Sequence, residues 1–172
     1  HGVAACAKHF PGHGDTTVDS HLDLPVVEHG LDRLRAVEFV PFRAAIDAGV
    51  SSVLVAHLLV QAIDDRQPSS LSRPAIEGLI RGELGFEGLV LTDDLDMGAI
   101  LNTFGWDETI RRAVHAGNDA IMICHRLDAA QHDGAGGLET TADQVGVDNA
   151  GAVGAALVEP AGRVIIAAAL FL

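Results

Sequence analysis

Ser52-Val53-Leu54-Val55-Ala56-His57 is a short aliphatic run that ends on an ionisable ring, and its reading decides the fold. No polar residue alternates with the apolar ones, so the run predicts a strand buried on both faces. A loop with Asp64, Asp65 and Pro68 follows, then Ser72, a residue type suited to cap a helix. Ile76, Leu79, Ile80 and Leu84 come next at helical spacing, and Gly85 supplies a stop. Leu89-Val90-Leu91 opens a second apolar run, closed by Thr92-Asp93-Asp94. Strand, helix, strand at this spacing is a βαβ unit, and buried strands joined in this way run parallel.

Outward from this unit the rhythm repeats. Val3 to Ala7 reads as a buried strand, and Leu31 to Val40 as a short helical approach. Pro41 suits the first turn of a helix with Phe42, Ala45 and Ile46 on one face and Gly49 as its stop. Downstream, Ile110, Ala113 and Val114 mark a helix closed by Gly117, and Ala120 to Cys124 is a further strand. The expected class is α/β, a parallel sheet covered by helices. In such sheets reactive groups gather beyond the carboxyl ends of the strands. Lys8, His57, Asp93 and His125 all fall at or just past such ends. After His125 the character changes: Asp133 to Gly162 is rich in Gly, Ala and Val, and Val164 to Leu172 reads equally as strand or helix.

The chain has 172 residues, a hydrophobic fraction of 48% and a formal net charge of -13. That apolar fraction is enough to bury a core. The negative charge, with no local basic cluster, argues against nucleic acid and against an anionic membrane surface as partners. No apolar run reaches the roughly eighteen residues of a transmembrane helix, and no basic-then-apolar leader precedes the first strand. Cys6 and Cys124 fall in predicted strands and are read as small buried thiols rather than a disulfide.

The chemistry concentrates in Lys8-His9-Phe10-Pro11-Gly12-His13-Gly14-Asp15-Thr16-Thr17-Val18-Asp19-Ser20-His21. Pro11, Gly12 and Gly14 exclude a regular helix, so this is a loop at a strand end crowded with ionisable groups. In an extended loop residues two apart point to the same side, so the Asp19 carboxylate can meet the His21 ring. A carboxylate partner fixes the tautomer of a histidine and raises its pKa, as a proton shuttle requires. A solvated loop with a turn-forming Asp reads the same triplet as well. His9, His13 and His21 also invite a metal, although the helical His-x-x-x-His spacing that makes such a signal strong is not available across Pro11-Gly12. At the other pole, a strand-end carboxylate at Asp93 can serve as a nucleophile toward a sugar, or as a helix cap or ion-pair partner. Lys8 can hydrogen-bond substrate hydroxyls or a carboxylate.

Lys-His-Phe-Pro-Gly-His-Gly, then Asp-Ser-His with Leu-Asp-Leu-Pro, then Thr-Asp-Asp-Leu-Asp-Met-Gly-Ala after a Leu-Ser-Arg-Pro-Ala-Ile helix, resembles the glycoside hydrolase family 3 β-N-acetylglucosaminidases of bacterial cell-wall recycling. The resemblance covers residues 1–126 and leaves 127–172 as a divergent tail. It implies a (β/α)8 TIM-barrel type fold, here its C-terminal half, and removal of terminal β-linked N-acetylglucosamine from muropeptides or chitooligosaccharides with retention of configuration. Carried over by motif, Asp93 is the nucleophile, His21 the general acid/base and Asp19 its dyad partner, while Lys8 and His9 bind the sugar. It implies no metal or other cofactor, a carbohydrate as partner and a cytoplasmic location, and leaves the oligomeric state open. Two other readings stand beside it: an incomplete, non-catalytic barrel fragment that needs a further N-terminal segment, and a metal-dependent hydrolase built on the histidine-rich loop.

Overall fold

The computed structural model describes residues 3–13, 16 and 24–124, with the backbone of three further strands at 139–140, 153–158 and 164–169. The chain begins with strand β1 (Cys6–Phe10) and the two-residue β2 (Val26–Val27), then helices α1 (Leu31–Ala36) and α2 (Phe39–Asp47). Strands β3 (Ser52–Val55) and β4 (Leu59–Val60) lead to a 3-10 turn at Ser69–Leu71 and a π-wound helix at Pro74–Glu83. Strand β5 (Leu89–Asp94), helices α3 (Gly98–Phe104) and α4 (Trp106–Ala116) and strand β6 (Ala120–Met122) follow. The last described elements are β7 (Glu139–Thr140), β8 (Val153–Val158) and β9 (Val164–Ala169).

The main sheet has the order β1-β3-β5-β6-β9-β8-β7. From β1 to β9 every neighbouring pair is parallel, and β8 and β7 are added antiparallel. The α/β class and the strand–helix–strand order read from sequence are therefore those of the protein. The apolar run at 164 is a strand, paired on one side with β6 and on the other with β8.

Local chemistry explains the elements. Val53, Leu54 and Val55 are all buried, as a strand covered on both faces requires. Pro41 lies in the first turn of α2, where its missing N–H costs nothing, and Phe39 and Phe42 of that helix are buried. Both rings pack on Phe10 of β1, with centroids 5.4 and 5.1 Å away. The Ser72 hydroxyl accepts a hydrogen bond from the Ala75 amide (3.3 Å), the capping role its position suggests. The Pro74–Glu83 helix then buries Ile76, Leu79 and Ile80 against β3 and β5 residues. Its last turn is wide: the Leu84 amide donates to the Leu79 carbonyl, five residues back.

Three expectations need correction. The first strand is Cys6–Phe10, not Val3–Ala7, and Val3 is 86% exposed. The ladder with β3 starts only at Cys6 opposite Ser52, and β1 has β3 as its one neighbour among the described strands. Cys6 is accordingly exposed rather than buried, and Cys124 is half-buried; both are free thiols. The pairing of β2 with β4 and the separate helix α3 were not anticipated. A two-residue strand has no periodicity to read, and its partner here lies more than thirty residues away.

Candidate active site

Two strands carry the candidate residues, and both lose register at those residues. Between β1 and β3, Ala7 faces Val53 and Phe10 faces Val55, so β1 holds one extra residue at Lys8–His9. Between β5 and β6, Leu91 faces Ala120 and Asp94 faces Met122, so β5 holds one extra residue at Thr92–Asp93. An extra residue breaks the alternation of side chains and re-aims the ones that follow. The Lys8–His9 and Phe10–Pro11 peptide bonds are both cis. Beyond them the Gly12 amide donates to the His9 carbonyl (2.8 Å), which closes a tight turn. Gly12 has φ +134°, and a Cβ there would lie 2.8 Å from Glu38 Cγ, so both backbone and space require glycine.

Lys8 and His9 are thus the third and second residues of β1 counted back from a turn, Lys8 exposed and His9 half-buried. His9 meets His13 edge to face at 6.0 Å. The Thr16 hydroxyl donates to the His13 carbonyl at 3.2 Å and lies 3.0 Å from His13 Nδ1. Burial holds His9 below the usual imidazole pKa; the Asp93 charge pulls it back up, and Lys8 and His13 push it further down. The strand ends of β1 and β5, separated in the sheet by β3 alone, thus lie near enough for the Asp93 charge to act on the His9 ring.

The two adjacent carboxylates are held differently. Asp94 Oδ1 accepts from the amides of Asp96 (3.0 Å) and Cys124 (3.1 Å), so it closes the turn after β5 and ties in the end of the β6 segment. Asp93 Oδ1 accepts from the Asp94 amide (2.9 Å). Thr92, fully buried, turns its hydroxyl to the Met122 amide (3.1 Å) and so satisfies a donor next to the register slip. The Cys124 thiol is pushed up to about 12 by burial first, then by its bond to Asp94 and the charges of Asp94, Asp96 and Asp93. It stays a neutral thiol, not a nucleophile.

His57 is not at the open rim. It is fully buried just past β3, with Nδ1 2.6 Å from Ser70 Oγ and Nε2 2.9 Å from the Asp94 carbonyl oxygen. Asp19 and His21, expected as the acid/base pair, and His125 lie outside the described residues. Among the described residues no group of three or more His, Cys, Asp or Glu is placed to hold a metal ion. Sequence reasoning passed over Asp94 as a strand-end anchor, and over Ser70 and Asn118 altogether. The one available signal was a serine cluster, Ser69-Ser70-Leu71-Ser72, in a segment otherwise read as loop.

A family model described as "Glycosyl hydrolase family 3 N terminal domain" matches residues 1–150. A beta-hexosaminidase of Stenotrophomonas maltophilia (strain K279a) is 39% identical over 155 residues, covering 89% of this chain and 46% of that protein. A solved glycoside hydrolase family 3 beta-N-acetylglucosaminidase from Paenibacillus sp. str. FPU-7 is 51% identical with a TM-score of 0.69, covering 70% of this chain and 23% of that one. NagZ from Neisseria gonorrhoeae, solved in complex with N-trifluoroacetyl-D-glucosamine, is 35% identical with a TM-score of 0.63, covering 74% and 35%. The same NagZ has been solved in complex with zinc ion. The chain spans about half the length of the curated relatives it matches.

Proposed function

Because this chain belongs to glycosyl hydrolase family 3, through that family's TIM-barrel type N-terminal domain, we propose that it carries the reacting groups of a retaining β-N-acetylhexosaminidase. The observation that carries the reading is the placement of Asp93: a carboxylate at the carboxyl end of a central parallel strand, beside a register slip, with its charge acting on His9. Terminal β-linked N-acetylglucosamine is the proposed substrate, since a relative holds an N-acylglucosamine analogue. Residues 1–126 form the barrel portion in this reading, and 127–172 the tail.

In the first step an Asp93 carboxylate oxygen bonds to the anomeric carbon while the bond from that carbon to the leaving oxygen breaks. His21 gives its proton to that oxygen, and the Asp19 carboxylate stabilises the imidazolium before transfer. In the second step His21 takes a proton from water, the resulting hydroxide oxygen bonds to the anomeric carbon, and the bond to Asp93 breaks. Two inversions leave the configuration retained. Lys8 and His9 hold sugar hydroxyls from the end of β1, two strands away in the sheet. Asp94, already committed to two amides, is left out of the bond making.

The test is release of p-nitrophenol from p-nitrophenyl β-N-acetylglucosaminide by this chain, next to Asp93→Ala. Release that drops by about four orders of magnitude in the variant supports the reading; equal release from both ends it. A second reading is favoured by the coverage of the relatives: the chain holds the strand-end groups and works only with a further barrel segment. Activity that appears only when the part of a relative's barrel outside the matched region is added in trans would select it.

A further inference from the structure

A chain of buried polar groups runs behind Asp93, and none of its members is needed for the bond-making steps above. The Asn118 amide nitrogen donates to the Ser70 carbonyl (2.9 Å) and to the Ala113 carbonyl at the end of α4 (2.7 Å). The Ser70 hydroxyl lies 2.6 Å from His57 Nδ1, and His57 Nε2 lies 2.9 Å from the Asp94 carbonyl oxygen. His57 and Ser70 are 0% exposed and Asn118 2%. The segment after β3, the end of β5 and the turn before β6 are therefore linked through one imidazole, which ends on the Asp94 carbonyl.

The donors can be assigned. A backbone carbonyl only accepts, so the proton on the Asp94 side belongs to His57 Nε2. The ring sits where burial disfavours its cation, so Nδ1 carries no proton and accepts from the Ser70 hydroxyl. Each member of the set thus has a defined direction: Ser70 donates to Nδ1, and Nε2–H donates to Asp94. A donor fixed on both sides leaves the Asp94 carbonyl a single orientation. On the other side of the Asp94 Cα, that residue's own amide donates to Asp93 Oδ1 at 2.9 Å.

We infer that His57 is a positioning residue: through its Nε2–H it fixes the Asp94 carbonyl, and with it the backbone of the residue whose amide holds the Asp93 carboxylate. Its catalytic meaning rests on the proposed role of Asp93, whereas the geometry stands on the hydrogen bonds alone. A sequence motif that ends a buried strand on histidine is then explained without substrate contact. The side chain is spent inward, on the next strand but not on the ligand.

Histidine nitrogen NMR on the full chain tests the donor assignment between about pH 6.5 and 8. The expected result is a neutral ring with a pyrrole-type Nε2 and a pyridine-type Nδ1; an Nδ1–H tautomer or a cationic ring overturns the inference. Two variants then test positioning. His57→Gln keeps an N–H that reaches the Asp94 carbonyl, and His57→Leu fills the space without one. The Asp93 carboxyl carbon and Asp94 amide resonances should move in His57→Leu and return toward wild type in His57→Gln. Resonances unmoved in His57→Leu would show that the ring only fills space. Should that variant fail to fold, Ser70→Ala carries the test: the Nδ1 and Asp93 carboxyl signals move together, and a still Asp93 signal overturns the inference. On the p-nitrophenyl substrate, kcat of His57→Leu should fall about 100-fold, the scale of a small misplacement of a reacting group, with KM nearly unchanged and most of kcat recovered in His57→Gln. A change in KM alone contradicts it. A wild-type chain with no turnover, alone or with a relative's barrel segment added in trans, sinks the proposed function, while the resonances still decide the role of His57.

Discussion

Asp94 spends one carboxylate oxygen on the amides of Asp96 and Cys124, and its own amide reaches the carboxylate of Asp93. The two neighbours share a side chain and differ in work, which makes their variants a paired prediction. Asp94→Ala strands two half-buried amides and is expected to cost about 1–3 kcal/mol in urea denaturation. Asp93→Ala, which removes an acceptor only from the next residue's amide, should move the same midpoint by less than about 1 kcal/mol. Asp93 was legible in the sequence because an apolar run that stops on a carboxylate marks a strand end. The division of labour with Asp94 was not, since it depends on where the Cys124 amide, thirty residues on, comes to lie. Lys8 and His9 were likewise placed at a strand end, although in a strand shifted toward Phe10 and with Lys8 exposed.

Helices and strands are joined here by a few polar clamps that no periodicity announces. Arg81, on the Pro74–Glu83 helix, donates to the carbonyls of Phe86 (2.8 Å) and Gly88 (2.7 Å) and to Asp119 Oδ2 (2.5 Å). The same Asp119 oxygen accepts from the Val90 amide (2.8 Å). One guanidinium thus sets the approach to β5 and couples it to the turn before β6. Arg81→Met keeps the aliphatic stem and loses the clamp, and should cost about 2–3 kcal/mol in thermal or urea unfolding. A cost near zero would mean that the β5 approach is held by packing alone. Gly12 is the second such device: Gly12→Ala meets both a positive φ and Glu38, and should lower the melting temperature by several degrees, as about 1–2 kcal/mol would. The helices with clean stripes were readable, α2 and the Pro74–Glu83 helix above all. Helix α3 was not: Gly105, with φ +72°, separates it from α4, and the joint blurs what would otherwise be one amphipathic pattern.

Across the whole molecule, the parallel order β1-β3-β5-β6 places Lys8, His9, Asp93 and the His57 anchor at one end of the sheet, over a core in which Phe10, Phe39 and Phe42 pack together. The α/β class and this arrangement followed from four apolar runs, each ending on reactive groups. The strands at 139–169 did not, because a Gly-, Ala- and Val-rich stretch carries no face preference to read. The buried His57 couples the fold to pH. Burial lowers its pKa from the usual 6.5, against the pull of the Asp94 bond and of the Asp93 and Asp94 charges. The unfolded chain then binds the proton more readily, so stability is full above about pH 6.5 and falls as acid is added below it. Urea midpoints at about pH 7.5 and 5.5 should separate more for wild type than for His57→Gln; an equal separation would place the acid sensitivity elsewhere. The central claim, that Asp93 is the group that bonds to the sugar, is tested most directly by a fluorinated N-acetylglucosaminide with a fast leaving group. After peptic digestion, the account predicts one glycosylated peptide, with the mass increment on Asp93, and none from Asp93→Ala. A label on another residue, or an unlabelled chain, would contradict it.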